Sequence, residues 1–398
     1  MLHRALDDSF PIEVRNRITL LTTARTAVNS CHRFAPPFLA IIARGNGTSL
    51  AGIGIAVAIG ELSGLLSPLN AEIVERLHRR TSMLLGLIGV AFGVTLAASS
   101  VHPAMFAVAL IIMSQSKVMF DLGMGSWTTD RVPYAQRGRV MGLIEISWAL
   151  GLLIGVSLMG LLTAVTNWRI GFGLGAAAVV ASAGWIARGI PADSGPHTSA
   201  TRTARVPLKV ADVAVLVLGL FCLMAASQML FVTFGSWLVD SFDFTPTALS
   251  VVAVVLGFTE LIASFTSSRR TDAWGKERST AIGSAMMVVG CIGLAIWHDH
   301  LWVALPLCIL AIAVFEFAIV SAIPLSTAAV VGSPARGMAL MVGAGTVGRA
   351  TASIPATRLY ERFGMAWPSG LAAALGTVTV LTMLALHRAG GASRDSHL

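Results

Sequence analysis

Residues 114–123, SQSKVMFDLG, decide what kind of solvent this chain folds in. Lys117 and Asp121 stand four positions apart inside a run that is otherwise almost wholly apolar, from Met105 to Trp127. At 1.5 Å rise per residue, a helix of about 20 residues crosses the hydrocarbon layer of a bilayer. A charge at that depth costs at least about 2.5–3.5 kcal/mol on insertion scales. The two charges must therefore face something other than lipid. Their spacing puts them on one helix face, where each can neutralise the other.

The rest of the chain agrees with this reading. Of 398 residues, 55% are hydrophobic and 12% are charged, and the mean hydropathy is +0.77. Soluble domains carry roughly 25% charged residues, so water is the wrong solvent for this surface. Apolar stretches long enough to span fall at about 18–43, 50–72, 81–100, 104–128, 141–165, 170–187, 211–238, 247–268, 280–297, 301–325, 338–358 and 367–387. With lipid outside, such stretches must be helices, because an open strand edge would leave its backbone unsatisfied. The expectation is an all-α integral membrane protein of twelve transmembrane helices in two pseudo-symmetric six-helix bundles.

The net charge of +8 does not point to nucleic acid, because its distribution follows the membrane. Alternate segments hold Arg4, Arg15 and Arg17; Arg76, Arg79 and Arg80; Arg131, Arg137 and Arg139; Arg188, Arg202, Arg205 and Lys209; Arg269, Arg270, Lys276 and Arg278; Arg336; and Arg388 and Arg394. The opposite loops hold Arg44, Arg169, Arg358 and Arg362. The positive-inside rule puts both termini in the cytoplasm of a multi-pass cell-membrane protein, plasma or inner. The N-terminal MLHRALDDSFPIEVRNR is polar and mixed in charge, so no cleavable signal peptide is expected. Cys31, Cys222, Cys291 and Cys308 all fall within spans and read as small core hydrophobes.

Residues 189–209, rich in Pro, Gly, Ser, Thr and basic side chains, read as a cytoplasmic linker between an N-terminal bundle, 1–188, and a C-terminal bundle, 210–398. One common shift lays Glu61-Leu62 on Glu260-Leu261, Arg137-Gly138 on Arg336-Gly337 and Lys117 on Glu316. Duplicated six-helix halves are typical of secondary transporters, with the substrate site near the midplane.

At this point the chain resembles the major facilitator superfamily. That family carries G-x-x-x-D-R-x-G-R-R after its second helix, and AEIVERLHRR, Ala71 to Arg80, stands there. Glu75 takes the place of the Asp, Arg76, Arg79 and Arg80 keep the basic positions, and Ala71 and His78 replace the glycines. A degenerate second copy, SRRTDAWGKE, keeps Asp272, Gly275 and Lys276. Asp130 to Gly155 is similar to the family's fourth-to-fifth connection. Gly151 and Gly155 are in step with the glycine element of its drug:proton antiporters, with Val156 where the Pro belongs. Lys117 stands where those antiporters usually carry an Arg in helix four. The resemblance implies proton-coupled efflux and a water-filled cavity lined by every helix except three, six, nine and twelve. The glycines have a plainer reading as close helix packing.

Charges inside the expected spans follow that division. They are Arg25 and Arg33 with His32 in helix one, Glu61 in two, Lys117 and Asp121 in four, Glu145 in five, Glu260 in eight, Glu316 in ten and Arg349 in eleven. Helix seven contributes Ser227 and Gln228. A carboxyl group in a low-dielectric cavity favours its protonated form, and a nearby cation opposes this. Glu61, Asp121, Glu145, Glu260 and Glu316 are thus candidate proton carriers. His32, Arg33, Lys117, Gln228 and Arg349 are candidate substrate contacts. Arg25, nearer the helix end, reads as a snorkelling side chain. Glu75, Arg76, Arg79, Arg80, Asp130, Arg137, Asp272 and Lys276 are topology determinants and candidate members of a cytoplasmic gate.

No G-x-x-x-x-G-K-[ST] or H-E-x-x-H occurs, and no Ser/His/Asp constellation stands out. His298 and His300 sit in a short outer loop without further ligands. The expectation is a non-enzymatic secondary transporter without metal or cofactor, working as a monomer in the lipid bilayer on a small-molecule substrate and protons. The favoured cargo is an amphipathic or drug-like compound. An organic anion or metabolite is the alternative, and a non-transporting membrane sensor is a different class.

Overall fold

The computed structural model describes residues 6, 9–132, 134–191, 210–328 and 334–395, and all regular structure among them is helical. The chain runs through α1 (Ile12–Phe34), a 3-10 turn (Pro36–Phe38), α2 (Leu39–Gly45), α3 (Leu50–Leu62), a second 3-10 turn (Ser63–Leu66) and α4 (Ser67–Arg76). It continues through α5 (Arg79–Ala98), α6 (Pro103–Arg131), α7 (Tyr134–Leu150), a π-helical segment (Gly151–Val156), α8 (Ser157–Val165) and α9 (Trp168–Gly189). Then follow α10 (Val210–Phe231), α11 (Phe234–Phe242), α12 (Pro246–Trp274), α13 (Lys276–Trp297), α14 (Leu301–Ala328), α15 (Pro334–Phe363) and α16 (Ala366–Asp395).

Nine helices among the described residues are long and apolar enough to cross a bilayer, and the bent pair α3–α4 makes a tenth. They fall on ten of the twelve expected spans. The other two lie on α1 and α15, whose arginines dilute their apolar character. Residues 192–209, most of the expected linker, lie outside the described residues.

Local chemistry sets the helix ends. Asn167 caps α9, its Oδ1 accepting from the backbone N–H of Arg169 at 3.0 Å and Ile170 at 3.1 Å. Pro103 opens α6, where a missing N–H costs nothing. Gly275, between α12 and α13, has φ +87°, a backbone state that a side chain disfavours.

The chain divides into two compact units. The first comprises Met1–Ser49, Ser63–Ser199 and Phe244–Gly257; the second comprises Leu50–Leu62, Ala200–Asp243 and Phe258–Leu398. Each unit thus includes a segment from the other half of the sequence.

In the first unit α5 lies close on α6. A Cβ on Gly86 would stand 2.6 Å from the Phe120 backbone nitrogen, so only glycine permits this approach. Phe34, Phe38 and Phe172 fill the core nearby, with ring centroids 4.7 Å apart for Phe34–Phe38 and for Phe34–Phe172. In the second unit Leu216, Leu220, Ala281, Ala322, Leu325, Ala344 and Met383 form a core among α10, α13, α14, α15 and α16. There α3 lies antiparallel on α15. The Ala51 N–H donates to Glu361 at 2.8 Å, and a Cβ on Gly54 would meet Thr357 Oγ1 at 2.3 Å.

Gly86→Val is expected to lower the thermal midpoint of detergent-solubilised protein, at a cost of about 1–3 kcal/mol from overpacking. Gly125→Ala, whose Cβ would meet nothing within 4 Å, is expected to leave the midpoint unchanged or raise it. Equal midpoints for Gly86→Val and the unmodified chain would refute the close packing of α5 on α6.

Candidate functional site

The buried charges gather in separate clusters, each inside one unit. In the first unit the cluster centres on Arg25. Its Nε donates to Asp121 Oδ1 at 3.1 Å, and its Nη1 lies 2.8 Å from Glu145 Oε1. Lys117 pairs with the second oxygen of Asp121, as their spacing on α6 implies. Nη1 of Arg25 also reaches the Ile144 carbonyl and Ser147 Oγ, each at 3.4 Å. Asn29, wholly buried, donates from Nδ2 to the same Ser147 Oγ at 3.2 Å.

One turn further along α1, Arg33 is buried, donates to the Trp148 carbonyl at 3.0 Å and lies 4.6 Å from the centre of its ring. His32 beside it is half-buried. One expectation changes here, and one packing expectation takes a specific form. Arg25 does not snorkel; its side chain is 11% exposed and holds two carboxylates. The glycines of the antiporter-like element, Gly151 and Gly155, lie in the π-helical segment against α1. A Cβ on Gly155 would collide with Ser30 Oγ.

In the second unit Glu61 of α3 meets Arg349 of α15 at 2.9 Å, both side chains largely buried. Glu61, alone on its helix in sequence, has its counter-charge in the other half of the chain. Gln228 donates to Ser353 Oγ at 2.9 Å and so ties α10 to α15. Glu260 and Glu316 are buried on α12 and α14, and Ser264 donates to Glu316 Oε1 at 2.9 Å. Ser267, Thr271 and Ser321 bond one another just beyond, at 2.8–3.0 Å.

The gate candidates are more dispersed. Arg79 donates to Asp130 at 3.0 Å, joining α5 to the end of α6. Arg76 pairs with Glu72 instead of Glu75, which is exposed. Arg80 donates to the Ala187 carbonyl, and Arg17 to that of Gly189 at 2.7 Å. These cations satisfy orphan carbonyls at the end of α9. Lys276 is half-buried at the start of α13. The side chains of Arg137 and Asp272 lie outside the described residues. Among the described residues no group of three or more His, Cys, Asp or Glu side chains could hold a metal ion.

Sequence reasoning missed Arg25, Asn29, Ser147 and Ser264. One signal was present: Arg25, Asn29 and Arg33 recur at four-residue intervals, a polar stripe along one face of α1.

Comparison with known proteins fits this architecture. The sequence profile of the Major Facilitator Superfamily matches residues 23–215. An uncharacterised MFS-type transporter of Bacillus subtilis (strain 168), YwfA, is 26% identical over 285 residues, 69% of each chain. The crystal structure of the human organic anion transporter MFSD10 (TETRAN) superposes with a TM-score of 0.70 at 18% identity, covering 94% of this chain and 100% of that one. A bacterial homologue of the human lysosomal transporter Spinster, in its occupied inward-facing form, gives a TM-score of 0.70 at 13% identity, covering 98% of this chain and 96% of that one.

Neutralising one partner of Glu61–Arg349 leaves the other charge buried, which costs about 3–5 kcal/mol. Glu61→Gln and Arg349→Gln are each expected to lower the thermal midpoint, and the double variant to recover most of the loss. Simple addition of the two losses would show that the residues do not act on each other.

The profile match over residues 23–215, the curated relative and the shared fold together make this chain similar to membrane transporters of the major facilitator superfamily.

Proposed function

We propose that the chain is a proton-coupled secondary transporter that works by alternating access and exports amphipathic, drug-like compounds. The observation that carries this reading is the pair of carboxyl groups on α12 and α14. Glu260 and Glu316 are 1% and 7% exposed, and Ser264 donates to Glu316. Ionisable groups at membrane depth are costly, and where they persist they mark ion and proton pathways. Glu61, Asp121 and Glu145 each sit in an ion pair. For them, taking up a proton means breaking a salt bridge, which suits a conformational trigger better than a simple carrier. Glu316 and Glu260 are carrier candidates on their burial in adjacent helices. The Arg79–Asp130 bond is the best-formed member of the proposed cytoplasmic gate. The working unit is a single chain of twelve spans in two bundles, in the cell membrane with both ends cytoplasmic.

A second reading, transport of an organic anion or metabolite, is favoured by one observation. Arg25, Arg33 and Lys117 lie together on α1 and α6 of the first unit, with Arg33 buried against Trp148. A human transporter of the same fold carries organic anions.

Everted vesicles with an acid interior and an internal pH probe separate the readings. Lipophilic cations are expected to alkalinise the interior, and Glu316→Gln to abolish that response while the protein still reaches the membrane. Full coupling in Glu316→Gln would remove the carboxyl-carrier reading. A response to organic anions alone would move the function to the second reading.

A further inference from the structure

Glu145, Arg25, Asp121 and Lys117 form a line of alternating charges across α7, α1 and α6. The four sum to zero, but they are held unequally. Asp121 is clamped between two cations. Arg25 is fixed by Asp121, the Ile144 carbonyl and Ser147. Glu145 ends the line. Among the described residues its ion pair with Arg25 is its only polar contact, and its side chain is 52% exposed against 11% for Arg25. A carboxylate turned toward acyl chains would be costly, so a polar space is expected on the open side of Glu145.

We propose that Glu145 is a place-holder for the carboxylate of an organic-anion substrate, which displaces it from Arg25. This inference rests on the transporter reading and deepens its anion branch. The seat is already shaped for a carboxylate, since one occupies it. A guanidinium offers a planar fork of donors that a carboxylate can grip at two points. Nη2 of Arg25 donates no hydrogen bond among the described residues, so part of that fork is unused.

Charge fixes the class of ligand. When Glu145 swings away, Arg25, Lys117 and Asp121 retain one net positive charge. A single negative charge on the ligand restores neutrality. Neutral and cationic compounds gain nothing from the exchange. Trp148, three residues beyond Glu145 on α7 and in contact with Arg33, supplies an aromatic surface close to the seat. An aromatic monocarboxylate fits this combination.

The test is equilibrium binding to the purified full-length protein in lipid nanodiscs. The probes are benzoate and 2-naphthoate, with benzamide and 2-naphthamide as matched neutral controls. The unmodified chain is expected to bind the acids and not the amides. Glu145→Gln, which removes the competitor, is expected to bind the acids at least about tenfold more tightly, the value of one charge-assisted hydrogen bond. Glu145→Asp, which keeps the charge, is expected to stay near the unmodified affinity, and Arg25→Gln to lose binding. Because Arg25→Gln removes a buried cation and can fail to fold, the decision rests on the Glu145 variants. Equal or weaker acid binding by Glu145→Gln, equal binding of acids and amides, or no acid binding by either protein would overturn the proposal. Binding gain without transport in vesicles would keep the seat and remove the transporter reading. Anion transport without the gain would do the reverse.

Discussion

A charge placed at bilayer depth has to meet a partner, and much of this structure follows from that need. Soluble proteins leave most charges to water, where a surface ion pair contributes little. Here Arg25 is shared between Asp121 and Glu145, Lys117 adds to Asp121, and Glu61 meets Arg349. Each pairing joins different helices or fixes a rotamer on one. The pairing of Glu61 also helps to place a helix. α3 belongs to the first half of the sequence but is gripped by α15, through the Ala51–Glu361 hydrogen bond, the Gly54–Thr357 contact and the Glu61–Arg349 ion pair in one antiparallel register.

The same scarcity of water governs the backbone. Where a membrane helix departs from regular geometry, the freed carbonyls need new donors. In the π-helical segment Gly151–Val156, Ser157 Oγ donates to the Leu152 carbonyl five residues back, at 3.1 Å. At the break between α10 and α11, Thr233 Oγ1 donates to the carbonyls of Met229 and Leu230. Short hydroxyls recur at such points because they reach back to their own helix. The π segment follows directly on the part of α7 that carries Glu145, Ser147 and Trp148. Segments of this kind are frequent at functional sites, and this one sets the approach of α1 through Gly155 and Ser30.

The spans were legible because apolar length is a property of the chain alone. The expected stretches for nine of them coincide with single long helices or continuous helical runs. The irregularities were less legible. Pro36 and Pro37 lie in full view at the 3-10 turn after α1, whereas the 51° bend between α3 and α4 was not read from the sequence. The site was legible as a set of residues and illegible as a set of bonds. Lys117 and Asp121 declared their pairing by spacing on one helix. Glu61 and Arg349 could not, because their meeting depends on how distant helices pack. Arg25 was misread for a related reason: depth along a helix suggests snorkelling, while the direction of the side chain decides it.

The shift that lays one half of the sequence on the other pairs positions of different chemistry. The shift that lays Glu61 on Glu260 also lays α3 over much of 244–257, the segment that α12 contributes to the first unit. Each unit thus incorporates a corresponding piece of the other half of the sequence, which two duplicated halves would produce. Within that common plan the charges differ. Lys117 is a cation bound to an acid on its own helix, while Glu316, its counterpart under the shift, is an acid receiving a hydroxyl from the neighbouring helix α12. Glu316 is buried and Lys117 half-buried, and the two differ in sign and in partner. A duplication preserved only for packing would drift toward apolar residues at such costly positions. Under the shift an ionisable group stands at both positions with opposite sign, as separate electrostatic tasks in the two halves would require.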